Sequence, residues 1–258
     1  MAMKRVDYNT IAAGYHQRYG INPLPGVAAA LRGLVQKLRA GPALLEVGCG
    51  TGRWLAELEP AGHLYGLDLA PGMLQQARRG RPGQALIWGQ AETLPLAPAS
   101  FDMVYCVNAL HHFEQPARFI SQARRILRPG GVLAIVGMDP HRGQDRWYLY
   151  DYFEESYALD LARFPARANI SAWLAAAGFE TVEWTRAEHI LDQRVGRAVW
   201  QDHFLQKQAT SQLALLSEAA YQAGLARIEA ALAQAEARGQ TLVFEVDISL
   251  MLVAAWHR

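Results

Sequence analysis

Cysteine is nearly missing, with two residues in 258, Cys49 and Cys106. One such pair draws no disulfide framework, and a reducing compartment fits the chain. Excess charge is missing too. The 25 Lys and Arg stand against 24 Asp and Glu, a formal net charge of +1, which offers no long-range pull on a phosphate backbone or an anionic membrane. Nucleic acid is therefore not an expected partner. No apolar run reaches the ~20 residues of a membrane span. The most apolar stretch, Leu242 to Trp256, carries Glu245 and Asp247 and reads as a buried strand. Lys4-Arg5 is not followed by the apolar run of a secretory signal, so the expectation is a cytoplasmic protein. Zinc-ligand spacing, a P-loop and a G-x-S-x-G elbow are all absent, which removes the starting points for metal hydrolysis, phosphoryl transfer and serine hydrolysis.

What is present is enough apolar material, 51% of residues, to bury a substantial core. From 43 to 138, short aliphatic runs alternate with helix-patterned segments, the way parallel α/β units read. Strands are expected at Ala43–Val47, His63–Asp68, Ala85–Gly89, Asp102–Asn108 and Gly131–Met138. Helices are expected at Arg53–Glu59, Met73–Arg79 and Pro116–Leu127, the last stopped by Arg128-Pro129-Gly130-Gly131. Later come a helix at Ile170–Ala177 and strands at Phe179–Ile190 and Thr241–Ala255. Between those two strands, 192–238 reads as a helical insertion. Its Leu213, Leu216, Ala220, Leu225, Ile228 and Leu232 are spaced to pack on the sheet layer or on a partner, including a second copy in a homodimer.

The chemistry-bearing feature is Glu46-Val47-Gly48-Cys49-Gly50-Thr51-Gly52 at the end of the first strand. Gly48, Gly50 and Gly52 permit a tight turn and a close ligand approach to the main chain. Their G-x-G-x-G spacing is tighter than that of dinucleotide binders. A carboxylate at Glu46 would repel a pyrophosphate, yet can anchor the ammonium of an amino acid directly or through water. The loop thus suits S-adenosylmethionine better than NAD. Asp68, ending the second strand about twenty residues on, is placed to accept both ribose hydroxyls; it is equally suited to cap the helix beginning near Pro71.

Across about residues 40 to 138 the chain resembles the class I, Rossmann-like methyltransferases, particularly the small-molecule group that includes ubiquinone and menaquinone methyltransferases. The resemblance rests on the glycine loop, Gly66-Leu67-Asp68 with Met73-Leu74, Ala91-Glu92-Thr93-Leu94-Pro95, Ser100-Phe101-Asp102, Ala109-Leu110-His111-His112 and Leu127-Arg128-Pro129-Gly130-Gly131. It implies a cofactor site that also takes in Cys49, Leu69, Met73, Gln90, Ala91, Glu92, Asn108 and Leu110. The family usually has Asp where this chain has Gln90; the amide still accepts from the adenine amino group, with Ala91 supplying a backbone N–H. Asn108 and Leu110 would lie along the methionine part. His111 and His112 would face the acceptor, one of them as a base or both in ordinary loop hydrogen bonds. Tyr8 to Tyr19 resembles a short lid helix, with Tyr15 near the sulfonium and Tyr8 and Arg18 reaching the cofactor carboxylate; the other reading is a helix packed on the sheet. No Asn/Asp-Pro-Pro-aromatic signature of base-amino methyltransferases follows the fourth strand.

The resulting expectation is one α/β domain with a doubly wound, seven-stranded, mostly parallel sheet whose last two strands form an antiparallel pair. It comprises an N-terminal helical lid (1–40), a cofactor core (41–138), a substrate-side segment and sixth strand (139–190), the insertion (192–238) and the last strand (241–258). The product would be S-adenosylhomocysteine and the acceptor a small molecule. Trp147, Tyr148, Tyr150, Tyr152 and Phe153 are expected either to wall the acceptor cavity or to form core or an interface. A non-catalytic S-adenosylmethionine-binding or assembly protein, an NAD oxidoreductase and an RNA or protein methyltransferase are the competing readings.

Overall fold

The computed structural model describes residues 8, 9, 12 and 23–258, so the expected contacts of Tyr15 and Arg18 lie outside the described residues. The chain separates into two compact units. The core unit holds the described residues up to Asp139 with Pro165–Glu188 and Leu250–Arg258, and the helical unit holds Pro140–Phe164 and His189–Ser249.

Strands β1 (Ala43–Val47), β2 (His63–Asp68), β3 (Ala85–Trp88), β4 (Phe101–Val107) and β5 (Leu127–Gly137) are joined by α2 (Arg53–Leu58), α3 (Pro71–Gly80) and α4 (Pro116–Ile126), with α1 (Pro25–Val35) ahead of them. Their order is β3-β2-β1-β4-β5, with β8 (Val243–Trp256) next to β5 and β7 (Thr181–Val195) on β8. All the early pairs are parallel, whereas β8 runs antiparallel to β5 from Val132↔Trp256 to Gly137↔Met251. The seven expected strands are all present. β4 is buried along its whole length, as a central parallel strand covered on both faces must be. Leu45, Val47, Val104, Cys106, Leu133 and Ile135 pack on Phe119, Ile120, Ala123 and Ile126 of α4 and on Leu174 of α7 (Arg167–Ala176).

Several boundaries move. Arg128-Pro129-Gly130-Gly131 belongs to β5, where the pairing jumps from Phe101↔Leu127 to Met103↔Val132; with Gly130 left-handed at φ 82°, this is a bulged strand entry rather than a free turn. The insertion begins after Val195, because Asp192-Gln193-Arg194 is exposed strand whose polar sequence imitates a loop, and the Gly196 amide closes the β7–β8 pair on the Leu242 carbonyl at 2.8 Å. A two-residue strand, β6 (Arg146–Trp147), pairs with β8 and had no sequence signal.

The amino end of the sheet is tied by a side chain that the motifs left as a mere family marker. Asp102, buried at the start of β4, accepts from Arg39 (Nε 2.6 Å, guanidinium NH2 3.0 Å), Arg128 (2.7 Å) and the Ala43 amide (2.8 Å). Burial pushes its carboxyl up, but the Arg39 hydrogen bond, the Ala43 amide and the two cations outweigh this and hold it below the ordinary carboxylate range.

In the helical unit, α5 (Tyr148–Tyr152), α6 (Glu154–Arg163), α8 (Ser211–Ala214) and α9 (Glu218–Ala237) enclose a separate core. Leu213, Leu216, Ile228 and Leu232 are buried in this unit as their spacing foretells, while Leu225 is only half-buried. Helix α9 approaches Phe153 so closely that a Cβ on Gly224 would sit 2.2 Å from its ring.

Candidate functional site

The glycine loop turns on three left-handed residues, Gly48, Gly50 and Gly52, at φ 75°, 53° and 83°. Gly48 must also lack a side chain, since a Cβ there would lie 2.6 Å from that of Ala109. The loop's N–H groups can be followed one by one. Those of Gly48 and Cys49 donate to the Leu67 carbonyl at 2.7 and 3.0 Å, that of Gly52 to the Cys49 carbonyl at 2.9 Å, and that of Gly50 to Asp68 Oδ2 at 2.8 Å. Each of these four amides is taken inside the protein. A phosphate cradle works by presenting unpaired N–H groups; these amides are already engaged, which is the wrong chemistry for a pyrophosphate and leaves an ammonium acceptable. The Cys49 side chain points into a cluster with Leu55 and Leu74.

Asp68 ties the glycine loop to the turn ahead of α3. Its Oδ1 accepts from the Ala70 amide at 2.8 Å, just ahead of α3, while Oδ2 holds Gly50. Burial raises its carboxyl, opposed by those backbone hydrogen bonds. Beside it, Leu69 is 54% exposed and Trp88, paired with Asp68 in register, is 70% exposed with its indole N–H on the Leu69 carbonyl at 3.0 Å. Gln90 is exposed and opens the short turn Ala91–Thr93, with Ala91 buried. The Glu92 carboxylate accepts from the Glu114 and Gln115 amides at 2.6 and 3.2 Å, just ahead of α4.

Glu46 is 1% exposed, and its Oε2 has no hydrogen-bond partner among the described residues. Burial first, and then the charge of Asp68, push its carboxyl well above the ordinary range, against smaller opposing effects of the Leu55 backbone, Tyr105 and Arg53.

At the end of β4, Asn108 adopts φ 50° and is exposed. Leu110 is buried in the main core cluster. The rings of His111 and His112 are 3.9 Å apart, the first buried and the second half-buried. Tyr8 arrives here. Its hydroxyl meets His112 Nε2 at 2.7 Å and its ring stands edge-on at 5.0 Å. Asn9, which no motif singled out, accepts from the Gly72 amide at 3.0 Å through Oδ1, and Ala12 packs with Tyr8, Ala70 and Met73. Residues 8, 9 and 12 therefore span from the start of α3 to the His111-His112 turn. Met73 is buried in that contact.

The aromatic segment resolves toward core. Trp147 packs edge-on to Tyr150 and Phe204, Tyr148 to Phe244, and Phe153 stacks on Tyr221. Among the described residues no group of His, Cys, Asp and Glu could hold a metal ion, and no helix is long and apolar enough to cross a membrane.

Residues 45–135 match the family described as methyltransferase domain. Over 143 residues, 50% of this chain, the sequence is 38% identical to a malonyl-acyl-carrier-protein O-methyltransferase of Methylococcus capsulatus, covering 49% of that relative. Over 170 residues, 56% of this chain, it is 29% identical to the demethylmenaquinone methyltransferase of Clavibacter sepedonicus, covering 68% of it. The chain thus spans about half the length, or less, of the first curated relatives it matches. The fold is similar to a solved Anabaena variabilis protein, a candidate methyltransferase from an antibiotic biosynthesis pathway, with a TM-score of 0.71 at 24% identity over 89% of this chain and 96% of that one. The matched segment takes in the glycine loop, Asp68 and the β4 turn, and over it the chain is similar to methyltransferases.

Proposed function

We propose that this protein transfers a methyl group from S-adenosylmethionine to a small-molecule acceptor. The observation that carries the reading is the engagement of the loop amides within the protein, with the Gly50 amide fastened to Asp68. Such a loop disfavours a pyrophosphate and fits an amino-acid-bearing nucleoside.

In this reading Gly48, Gly50 and Gly52 give the methionine part room, and Asp68, with a second lone pair on each oxygen, takes the ribose hydroxyls. Gln90 and the buried Ala91 serve the adenine, Leu69 covers it, and Asn108 lies toward the methionine part. Bound S-adenosylmethionine supplies an electrophilic methyl group on a sulfonium. The chain contributes alignment and exclusion of water, the latter through Tyr8, Asn9 and Ala12. His112, fixed by Tyr8, is the better placed of the two histidines to exchange a proton with an acceptor, because His111 is buried.

The named relatives point the acceptor search at carboxylates and quinones first, then phenols and amines. Calorimetry with S-adenosylmethionine, S-adenosylhomocysteine and NAD tests the donor, and binding of NAD alone overturns it. A radiolabelled methyl-transfer screen over the four acceptor classes tests turnover; binding without transfer to any of them favours the non-catalytic reading.

A further inference from the structure

Glu46 and Tyr105 face each other in register across β1 and β4, so their side chains leave the same face of the sheet. Both are buried, and both carry an oxygen without a hydrogen-bond partner among the described residues, Glu46 Oε2 and the Tyr105 hydroxyl. The hydroxyl lies beside the carboxyl, near enough for each to act on the other as a hydrogen-bonding neighbour, yet neither Glu46 Oε2 nor the hydroxyl makes a well-formed hydrogen bond among the described residues. Burial normally forces polar atoms into pairs. Two adjacent exceptions immediately behind the glycine loop form a built polar site awaiting a change of charge.

We propose that Tyr105 is a positioning residue for Glu46, its phenol donating to the Glu46 carboxylate when the cationic methyl donor occupies the neighbouring loop. The inference rests on the donor reading given above. The groups facing Glu46 are Cys49 in the loop, Arg53 on α2, Asp68 at the end of β2, and Tyr105 and Cys106 on β4. Burial and the charge of Asp68 both favour the protonated form of Glu46 in the free protein. A sulfonium and ammonium nearby reverse that balance: the carboxyl O–H ionises, its proton passes to solvent, and Tyr105 donates to the oxygen left behind. S-adenosylhomocysteine lacks the sulfonium charge, so it drives less of this release.

The experiment is calorimetric titration of the full chain with S-adenosylmethionine and with S-adenosylhomocysteine, across pH and in buffers of different ionisation enthalpy. Wild type should release more proton with the donor than with the product, and Glu46→Gln should abolish the difference. Tyr105→Phe keeps the ring and removes the donor. It should weaken S-adenosylmethionine about tenfold and move the pH midpoint of its affinity upward, since a carboxylate that loses a hydrogen bond is harder to ionise. Affinity for S-adenosylhomocysteine should change less. An unmoved midpoint in Tyr105→Phe, or equal weakening of both ligands, overturns the proposal and leaves Tyr105 as packing. Failure of wild type to bind either nucleoside refutes the donor reading instead.

Discussion

Two buried carboxylates, one in each unit, are treated in opposite ways. Asp160, fully buried on α6, accepts from Arg163 at 2.6 Å, Gln212 at 2.7 Å and Tyr150 at 2.8 Å, stapling α5, α6 and α8 together. Glu46, almost as buried, keeps one oxygen unpartnered among the described residues. A charge out of water is tolerable when its lone pairs are met and costly when they are not. Asp160 accordingly reads as architecture. Glu46 keeps an oxygen that the described residues leave without a partner, and it stands where a cationic ligand is expected.

The largest effect that would break this contrast is at Asp160. Removing it in Asp160→Ala leaves the buried Arg163 and Gln212 and the half-buried Tyr150 without this acceptor and should cost about 3–5 kcal/mol, read by urea unfolding; a loss below about 1 kcal/mol would show the cluster to be incidental. Next comes Asp68→Ala, which frees the Gly50 and Ala70 amides together. It should weaken S-adenosylhomocysteine by roughly ten- to a hundredfold, as expected for losing charge-assisted hydrogen bonds of about 1.5–3 kcal/mol, and unchanged affinity in calorimetry would remove Asp68 from the site.

A smaller effect follows acid. Asp102 titrates below its ordinary value, so its contribution is complete above the unfolded pKa near ~3.9 and disappears as pH falls through the folded one. Glu46 has the opposite sign: its folded pKa lies above the ordinary ~4.3, so its penalty is present at neutral pH and is relieved as pH falls through the folded value. Asp102→Asn should therefore lower the melting temperature at neutral pH and flatten its decline in acid, while Glu46→Gln should hold or raise it at neutral pH; identical melting profiles would erase the distinction. The smallest change is Tyr8→Phe, which deletes the bond to His112 and should speed S-adenosylhomocysteine dissociation about two- to fivefold, on the order of 1 kcal/mol or less. A stopped-flow trace matching wild type would mean that Tyr8 closes nothing.

Much of the core unit was legible in the sequence because its information is local. β1 and β2 have the foreseen limits, since a parallel strand buried on both faces is a short apolar run bounded by turn residues. Glycine spacing likewise marked the loop and Asp68. The destinations of N–H groups carry no such mark, so the engagement of Gly48, Cys49, Gly50 and Gly52 within the protein needed the fold. The Arg39–Asp102 pair is 63 residues apart in sequence, and Glu46 meets Tyr105 only because β4 lies beside β1. The bond from the Glu114 amide to Glu92 spans 22 residues and had no local mark either. In the helical unit, the polar end of β7 resembled the loop-rich insertion that follows it, and α9 announced its buried stripe without revealing Gly224 against Phe153.

Trp88 adds a practical consequence. Its indole, 70% exposed and tethered to the Leu69 carbonyl beside Asp68, should emit at long wavelength, as a water-facing tryptophan does, and be the tryptophan most open to collisional quenchers among the described residues. A purine settling between Leu69 and Ala91 would alter that emission. The protein therefore carries its own optical reporter at the rim of the proposed nucleoside site, and ligand occupancy can be followed without a label or a known acceptor.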